Sequence, residues 1–463
     1  MTHELNCEVI TVNSNVIENL KAGLAEGCVL TGDEIGADYC HDEYPGGSFA
    51  PDAVVEAEST ESAAAILRLC AESAVGVTVR GAGTGQAGGS VPVKGGVVLS
   101  LKGMNKILEF NEAERSLTVQ AGVLLQDVKA EAEKHGLYYP PDPGEKTATI
   151  GGNAATDAGG PCAVKYGSTR DYVASALVVT ADGSIVRVDE KEKIDDIIGS
   201  EGTLGVITEL TLRLIDKPKA DAILLLPFMD TESCIKAAQT ILGTDCAPAV
   251  VEYMDTDMVE FSGEVTGNPV FPVEMDGERV AATLMAVLEG DDDDLVMEQM
   301  ETIAELAEEL ECLDILVGDT ITMKRDMWAA HDAFHTSMES GAKNSFEYNV
   351  TVPAEKMAEM VEWVKTAAEA KGMKAMAYAH VGTGGMHLHL AYDGEKDEFK
   401  TLLADFTPTV YAKCVELGGD IRGEYGIGYA KLAYLGNEAL EKFAAAKAEL
   451  DPKGILNPGK AAV

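Results

Sequence analysis

The stretch Arg80-Gly-Ala-Gly-Thr-Gly-Gln-Ala-Gly-Gly-Ser90 directly follows a predicted strand over residues 75–80. Its five glycines in nine residues allow positive φ angles and a close approach of the backbone to a ligand. Successive N–H groups in such a loop form a nest for an anion such as a pyrophosphate. A dinucleotide fingerprint counted from Gly81 would require glycine in place of Gln86, and in any register it would require a helix immediately after the loop, which Val91-Pro92 does not begin. The stretch therefore predicts a phosphate loop outside the Rossmann class, with a plain tight turn as the alternative.

Charge and composition exclude several classes of function. The 463 residues include 36 Lys and Arg against 78 Asp and Glu, a net charge of −42, which argues against binding to nucleic acid or to anionic lipid. Hydrophobic residues make up 46% of the chain, as in globular proteins. We find no apolar run of about 18 residues and no signal-peptide pattern, so we expect a cytoplasmic protein without a membrane span. The nine cysteines form no C-x-x-C pair, which predicts free thiols and no iron–sulfur cluster.

Residue patterns predict an α+β chain in which the first and middle parts differ. In the first third, short strands alternate with helices, with strands over 54–58, 75–80, 97–101 and 116–120, a helix that begins after Ser59 and Thr60, and a helix over 124–135. The middle of the chain indicates a separate α+β domain, with strands over 221–229, 282–289 and 376–392 and helices over 231–242, 296–310 and 354–371. Residues 436–450 form the last predicted helix.

Further glycine-rich stretches follow the loop before residue 209. They are Tyr139-Pro-Pro-Asp-Pro-Gly-Glu145 with Ala148-Thr-Ile-Gly-Gly-Asn-Ala-Ala-Thr156, then Lys165-Tyr-Gly-Ser-Thr-Arg-Asp-Tyr172, and Ile198-Gly-Ser-Glu-Gly-Thr-Leu-Gly-Val-Ile-Thr208. With the loop at 80–90, and in this order, they resemble the FAD-binding domain of the PCMH-type, vanillyl-alcohol-oxidase flavoprotein superfamily. The most similar branch is the D-lactate/glycolate dehydrogenase flavoprotein, which also resembles D-2-hydroxyglutarate dehydrogenase. The resemblance runs from about residue 40 to the C-terminus.

The resemblance implies a two-subdomain FAD-binding domain over 47–218 and, over the flavin, an α/β cap domain with an antiparallel, ferredoxin-like sheet at 219–420. Residues 1–46 would form an N-terminal helical segment, and residues 421–463 would return to the FAD domain. The pyrophosphate of FAD would lie on the loop, and the later stretches would line the flavin and the adenosine. The residues implied to bind FAD are Arg80, Gly81, Ala82, Gly83, Thr84, Gly85, Gln86, Pro141, Asp142, Thr149, Gly151, Gly152, Asn153, Ala155, Thr156, Gly159, Gly160, Tyr166, Gly167, Glu201, Gly202, Gly205, Val206, Ile207 and Asn457.

A second constellation combines His380 and His387 with Glu424. Two imidazoles and a carboxylate suit zinc, iron or manganese, but a histidine pair seven residues apart is weak evidence, because strand-end histidines also make ordinary hydrogen bonds. The resemblance implies that these three residues are the ligands of a divalent metal, which binds the carboxylate and α-hydroxyl of a 2-hydroxy acid. His389 lies on the same strand face as His387 and is either a fourth ligand or a packing residue.

Two positions near this constellation replace residues of the family pattern. Tyr425 replaces the histidine expected to act as the base, and it serves either as the base or as a hydrogen-bonding wall residue. His331, three residues after Trp328, replaces an arginine that grips the substrate carboxylate, and Arg422 is a candidate to supply the lost charge. His331 and His335 are spaced i, i+4 on a predicted helix, which suits either metal binding or partly buried pocket lining. The candidate catalytic residues are thus Tyr425, His331, Arg422 and Trp328.

The resemblance implies an FAD-dependent dehydrogenase that converts a D-2-hydroxy acid of the D-lactate or glycolate type into the 2-oxo acid. Electrons would pass from FAD to a separate protein, either an electron-transfer flavoprotein or an iron–sulfur subunit, and a homodimer is left open. The loop over 81–90 has no attachment histidine, which favours non-covalent FAD, and a short charged link over 188–198 replaces a longer family insert. The alternatives are an oxidoreductase for an aromatic or alcohol substrate and a catalytically silent FAD subunit of a larger complex.

Overall fold

A computed structural model of the chain describes residues 12, 14–24, 27–307, 309 and 311–461. Its strands, numbered in chain order, are β1 (Val29–Thr31), β2 (Ala53–Glu56), β3 (Val77–Arg80), β4 (Val97–Ser100), β5 (Ile107–Asn111), β6 (Ser116–Gln120), β7 (Leu137–Tyr138), β8 (Val173–Val179), β9 (Ile185–Val188), β10 (Val206–Arg213), β11 (Ile215–Asp216), β12 (Ala220–Phe228), β13 (Val250–Asp255), β14 (Glu274–Met275), β15 (Glu278–Arg279), β16 (Ala282–Gly290), β17 (Leu316–Gly318), β18 (Ser345–Thr351), β19 (Lys374–His380) and β20 (Gly385–Ala391).

The helices of the described residues, also in chain order, are α1 (Ser14–Gly23), α2 (Thr60–Glu72), α3 (Leu125–Lys134), α4 (Ile150–Thr156), α5 (Ala163–Tyr166), α6 (Thr169–Tyr172), α7 (Lys191–Ile197), α8 (Thr231–Leu242), α9 (Thr256–Thr266), α10 (Asp293–Ala307), α11 (Ile321–Gly341), α12 (Met357–Glu369), α13 (Lys396–Glu416) and α14 (Asn437–Leu450). Short 3₁₀ turns occur at Gly32–Glu34, Ala37–Cys40, Ala354–Lys356 and Leu432–Tyr434. Among the described helices, none combines the length and the apolar character that crossing a bilayer requires.

The chain divides into two compact units. The first unit contains the described chain up to Gly159, then Ser168–Lys217, and again the described chain from Tyr425 onward. The second unit contains Gly160–Gly167 and Pro218–Glu424. The short segment at 160–167 therefore belongs to the second unit, although the first unit surrounds it in sequence.

Two main sheets form the described part of the first unit. One has the order β1-β2-β4-β3, in which β2, β4 and β3 are parallel, and the other has the order β5-β6-β10-β8-β9 with antiparallel neighbours. Helix α2 connects β2 to β3 and buries Ile66 and Leu67 in the core beside these strands. The helix begins after Ser59, whose hydroxyl accepts a hydrogen bond from the Ser62 N–H at 3.2 Å. Strand β4 is buried along its whole length, as expected for a parallel strand that is covered on both faces.

A buried carboxylate ties the C-terminal segment back to the first sheet. Asp451, just after α14, accepts hydrogen bonds from the N–H groups of Ile455 at 3.1 Å and Leu456 at 2.7 Å, and it pairs with Lys447 at 2.7 Å. Leu456 then forms a parallel bridge with Val77 of β3. Because Asp451 is buried, these contacts satisfy it inside the protein. The tie holds the last segment beside the strand that leads into the glycine-rich loop.

The described part of the second unit is built on a seven-stranded sheet of order β17-β12-β16-β13-β19-β20-β18, in which all neighbours are antiparallel. Its central strands are long apolar runs, as expected where helices cover both faces. Helix α11 covers one face, where Phe334 packs in one cluster with Met376. Helix α8 lies on the other face, where the hydroxyls of Thr231 and Tyr253 are 3.3 Å apart.

The structure confirms the predicted α+β class, and most predicted elements are present with their ends shifted by a few residues. The single strand predicted over 376–392 is wrong, because the chain forms β19 and β20 with a tight turn at 381–384 between them. Gly384 has φ +81 in that turn, a conformation that glycine adopts readily and other residues avoid. The charged segment 188–198, predicted as a link, contains helix α7.

We predict that Asp451→Ala lowers the free energy of unfolding by about 2–4 kcal/mol, because two buried N–H groups would lose their acceptor. Denaturant unfolding followed by circular dichroism measures this loss. The matched control is Asp189→Ala, which removes an exposed carboxylate that lies 3.7 Å from Arg187 and should change stability by about 0.5 kcal/mol or less. Equal effects of the two substitutions would contradict the role assigned to Asp451.

Candidate active site

Two histidines and one glutamate bring three ligand-type atoms together in the second unit. His380 ends β19 and His387 lies in β20, and their Nε2 atoms are 3.1 Å apart. The Oε2 atom of Glu424 lies 3.5 Å from Nε2 of His380 and 4.0 Å from Nε2 of His387. Ligands at about 2.0–2.2 Å from one divalent ion are separated by at most about 4.4 Å. The three residues named from the sequence as metal ligands therefore have the spacing that a single ion requires.

Each of these histidines is oriented by a buried carboxylate on its other nitrogen. The Nδ1–H of His380 donates to Glu252 at 2.7 Å, and the Nδ1–H of His387 donates to Glu347 at 2.7 Å. Because an ionised carboxylate only accepts hydrogen bonds, each ring keeps a proton on Nδ1, and Nε2 faces the other partner, as a donor when the ring is charged and as a lone pair when it is neutral. Carboxylates that hold imidazoles in this way are typical outer partners of metal-binding histidines.

Strand register creates the first of these pairs and sets Asn349 opposite the histidine of the second. Glu252 of β13 lies directly opposite His380 of β19, and Asn349 of β18 lies directly opposite His387 of β20. The Oδ1 atom of Asn349 accepts a hydrogen bond from the N–H of Glu424 at 2.7 Å. The sheet therefore fixes two of the ligand-type side chains, and a side chain from the edge strand fixes the backbone of the third.

Burial and charge oppose each other at these groups. Burial would raise the pKa of Glu424, but the charge of His380 and a hydrogen bond from it, helped by the Gly160 N–H at 3.3 Å, lower the pKa to about 2. Burial would lower the pKa of His380, but the charges of Glu252 and Glu424 outweigh burial and raise that pKa well above its usual range. The carboxylates around the imidazole pair thus favour a positive charge between the two rings.

His331 lies behind His380 on α11. Its Nε2 atom is 3.1 Å from Oε2 of Glu252, so the two histidines share one carboxylate. The ring of Trp328 meets the His331 ring edge to face, with 5.5 Å between centroids. Burial would lower the pKa of His331, but hydrogen bonds with Asp332 and Glu252 raise it. The structure thus brings His331 and Trp328 to the outer side of the His380–Glu252 pair.

The remaining candidate residues, Arg422, Tyr425 and His389, have three different kinds of surroundings. Arg422 is exposed, and its guanidinium pairs with Asp420 at 2.7 Å. Tyr425 is half-buried and begins the last segment of the first unit. His389 is buried, with its Nε2 atom 3.8 Å from Oε2 of Glu347, and burial lowers its pKa to about 4. Among the described residues, His389 belongs to a separate group of possible metal ligands that does not include Glu424.

The glycine-rich loop of the first unit presents free backbone donors. It continues to Ser90 without entering a helix, and none of the described residues accepts a hydrogen bond from the N–H groups of residues 81–85. Gly83 has φ +84, and a Cβ there would collide with the guanidinium of Arg80. The buried Nε of Arg80 and Nδ2 of Asn153 have no hydrogen-bond partner within the described part of the chain. Free N–H groups beside a buried guanidinium fit a pyrophosphate, so these residues suit the FAD that the sequence implies.

A buried carboxylate connects other segments named for FAD binding. Glu201 has φ +50 and accepts hydrogen bonds from the N–H groups of Ile427 at 2.7 Å and Gly428 at 2.8 Å. The Nδ2 of Asn457 donates to the carbonyl of Glu201 at 2.5 Å, and its Oδ1 accepts from the Val79 N–H at 3.0 Å. Burial raises the pKa of Glu201 to about 7. Within the first unit, these contacts hold the last segment against the strand before the loop.

The other residues named for FAD binding lie in loops and at helix ends. Thr149 caps α4 by accepting a hydrogen bond from the Gly152 N–H at 3.2 Å. Helix α4 contains Gly151, Ala155 and Thr156, and the chain before and after it contains Pro141, Asp142 and Gly159. The segment that leads into β10 contains Gly202, Gly205, Val206 and Ile207. Gly160, Tyr166 and Gly167 belong to the second unit, where the Tyr166 hydroxyl donates to Glu289 at 2.5 Å.

Sequence reasoning missed Glu252, Glu347 and Asn349, which hold the ligand-type residues from behind. A signal for Glu252 exists in the sequence, because it lies in Val250-Val-Glu-Tyr-Met-Asp255, a run otherwise typical of a buried strand. An acidic residue in such a run must have a buried partner, since an unpaired charge in the core is costly. The sequence alone does not say which partner that is.

Comparison with known protein families covers both units. A family model described as FAD binding domain matches residues 51–189. A second, described as FAD linked oxidases, C-terminal domain, matches residues 217–461. The second match alone spans more than half of the chain.

Relatives and solved structures agree with these matches. A D-lactate dehydrogenase of Anaerostipes hadrus is 40% identical over 97% of each protein, and the glycolate oxidase subunit GlcD of Bacillus subtilis is 33% identical over 91% of each. A solved p-cresol methylhydroxylase with substrate bound has a TM-score of 0.79 at 18% identity over 96% of both chains. An alkyldihydroxyacetonephosphate synthase has a TM-score of 0.76 at 19% identity, over 96% of this chain and 85% of that one. The structural likeness shows a shared fold, and the family matches show that this chain belongs to the FAD-linked oxidases with a PCMH-type FAD-binding domain.

Proposed function

We propose that this chain is an FAD-dependent dehydrogenase that oxidises a D-2-hydroxy acid, of the D-lactate or glycolate kind, to the 2-oxo acid. The observation that carries the proposal is the convergence of the Nε2 atoms of His380 and His387 with the carboxylate of Glu424. Relatives named D-lactate dehydrogenase and glycolate oxidase subunit support the substrate class. A divalent ion of the zinc, iron or manganese type is part of the proposal.

When bound, FAD supplies the acceptor for the α-hydrogen, and the ion on His380, His387 and Glu424 supplies a Lewis acid for the substrate carboxylate and hydroxyl. The chain's own residues position these groups. Glu252 and Glu347 hold the Nδ1 protons of the two histidines, which keeps both Nε2 atoms turned toward Glu424. The free N–H groups of residues 81–85 would hold the pyrophosphate of FAD.

Tyr425 and His331 are the two candidates for the group that accepts the hydroxyl proton. Hydrogen bonds with Asp332 and Glu252 raise the pKa of His331 despite its burial, so its ring holds a proton more tightly than a free imidazole does. A base needs a free site for the proton at working pH. A tyrosine offers that free site only as the tyrosinate, since the reference pKa of the phenol is about 10. We assign the proton-accepting role to Tyr425 in this ionised form, which a positive ion bound to the neighbouring Glu424 would favour.

The proposal includes non-covalent FAD and a separate protein that takes the electrons. The net charge of −42 favours an acceptor with a basic patch, either an electron-transfer flavoprotein or an iron–sulfur subunit. Acid precipitation of the purified protein should release the flavin into the supernatant. Flavin that stays with the precipitated chain would contradict non-covalent binding.

A second candidate function is oxidation of an aromatic or alcohol substrate that has no carboxylate. One observation favours it: the Arg422 guanidinium, the candidate replacement for the missing carboxylate clamp, is already paired with Asp420 at 2.7 Å. Under this alternative, benzylic or phenolic alcohols reduce the flavin and 2-hydroxy acids do not.

We predict that D-lactate or glycolate bleaches the oxidised-flavin absorption of the anaerobic holoprotein, and that a chelator abolishes this bleaching without releasing FAD. The ion is needed at His380, His387 and Glu424, whereas FAD is held by the first unit. Anaerobic absorption spectroscopy with each 2-hydroxy acid, and with a panel of aromatic alcohols, measures both effects. Restoration by Zn²⁺ or Mn²⁺ is the control for damage by the chelator, and bleaching by the aromatic panel alone would overturn the main proposal.

We predict that Glu252→Gln weakens metal binding by about 10- to 100-fold, because the outer carboxylate of His380 loses its charge. Metal competition with a chromophoric chelator measures the affinity. The control is Glu359→Gln, which removes an exposed carboxylate paired with Lys413 at 2.8 Å in the same unit. An unchanged metal affinity in a folded, flavin-loaded Glu252→Gln protein would contradict the positioning role of Glu252.

We predict that Gly83→Ala weakens FAD binding by about tenfold, because a strained φ and a displaced Arg80 cost about 1–2 kcal/mol in the loop. Arg80 would lose its 2.8 Å hydrogen bond to the His41 carbonyl. The control is Gly136→Ala, since Gly136 also has positive φ but no atom lies within 4 Å of the point that an added Cβ would occupy. Flavin titration of the apoprotein measures binding, and equal losses in both variants would show that the loop has no special role.

A further inference from the structure

A second group of metal-ligating side chains lies in the second unit, beyond the three residues used in the proposed function. It consists of His335 on α11, Glu347 in β18 and His389 in β20, and we call it the second triad. Glu347 and His389 lie directly opposite each other in neighbouring strands. Helix and sheet thus bring two imidazoles and one carboxylate to the same place from three separate elements.

The second triad has the spacing of a ligand set. Nδ1 of His335 lies 2.8 Å from Oε2 of Glu347, and Nε2 of His389 lies 3.8 Å from that same oxygen. The candidate ligand atoms all lie within 4.8 Å of one another. Ligands of one divalent ion are separated by at most about 4.4 Å, so small side-chain rotations bring all three into range. On its outer side, Nε2 of His335 meets Glu339 at 3.3 Å, which orients the ring as an outer carboxylate orients a metal-binding histidine.

His389 provides an independent observation. Its side chain is only 2% exposed, and its Nε2 atom has no hydrogen-bond partner within the described part of the chain. The distance of 3.8 Å between Nε2 of His389 and Oε2 of Glu347 is too long for a hydrogen bond. Buried polar atoms in folded proteins are nearly always paired, so an unpaired nitrogen aimed at a carboxylate indicates a missing partner between the two.

We propose that the second triad binds a second divalent transition-metal ion through His335, Glu347 and His389. Two imidazole nitrogens and one carboxylate oxygen suit zinc, manganese or iron. Three protein ligands leave a position open for water. The inference goes beyond the proposed function and does not depend on it, because it concerns what the chain binds and not what it oxidises.

The two sites share Glu347. Its Oε1 accepts the hydrogen bond from Nδ1–H of His387, and its Oε2 faces the second triad. An ion in the second triad would therefore hold the carboxylate that orients His387. Glu347 thus becomes a positioning residue for the first site and a ligand of the second.

The test is the number of ions bound by the full-length, flavin-loaded chain. The protein is stripped with a chelator and re-equilibrated with Zn²⁺, and bound zinc is counted by plasma mass spectrometry, with Co²⁺ absorption as a second readout. We expect two ions per chain in the unchanged protein. His389→Gln and, separately, His335→Gln should each weaken one ion by about tenfold or more and leave the other. His380→Gln should remove the other ion.

The matched control is His135→Gln in the first unit, where His135 also pairs with a glutamate four residues away, Glu131, at 3.3 Å. This variant should keep both ions. Flavin content and circular dichroism verify that each variant folds, and His335, which is partly exposed, provides the milder substitution. One ion in the unchanged protein, lost in His380→Gln and kept in His389→Gln, would overturn the second site and leave the proposed function intact. If the chain binds two ions but 2-hydroxy acids do not bleach its flavin, the second site stands and the proposed function is overturned.

Discussion

The second unit depends on the pairing of two buried carboxylates, Glu252 and Glu347, with histidines on neighbouring strands. A carboxylate that is removed from water without a partner is strongly destabilising. A shift of one residue in strand register would turn every second side chain to the opposite face, and both carboxylates would lose their partners. The register that keeps the core apolar is therefore also the register that aims the Nε2 atoms of His380 and His387 at each other. Fold and site are fixed by one constraint.

This constraint also explains what the histidine at position 331 does. Glu252 is shared between His380 and His331, so a side chain on α11 supplies a second donor to the same carboxylate. A guanidinium at that position would carry a fixed charge, whereas an imidazole can pair with Glu252 in either protonation state. His331 thus attaches helix α11 to the sheet at Glu252, the carboxylate that orients His380 in the candidate site. The histidine that replaces the arginine of the family pattern therefore supports the candidate site through Glu252.

Features that are local in sequence could be predicted, and features that need strand register could not. The loop at 80–90 and the cap at Ser59 could be predicted because glycine spacing and capping chemistry act over a few positions. His380, His387 and Glu424 were named through the family resemblance, since their spacing alone is weak evidence. Glu252 was missed because its partner His380 lies 128 residues away, and Glu347 was missed because His387 lies 40 residues away. The strand predicted over 376–392 was wrong since apolar residues flank the turn at 381–384 on both sides, which hides a hairpin inside one hydrophobic run.

Buried carboxylates of this chain are satisfied in two different ways, and the difference separates structural roles from chemical ones. In the first unit, Glu201 and Asp451 accept hydrogen bonds from backbone N–H groups, which have no further donor or acceptor to offer. In the second unit, Glu252 and Glu347 accept from imidazoles, and each imidazole has a second nitrogen left over. A carboxylate held by amides therefore ties segments together, whereas a carboxylate held by histidines orients an atom that can bind something else. By this criterion, Glu201 and Asp451 stabilise the fold, as does Asp255 of the second unit, which accepts from the N–H groups of Met258 and Ala377 at 2.8 Å each. Glu252 and Glu347 instead build the candidate site.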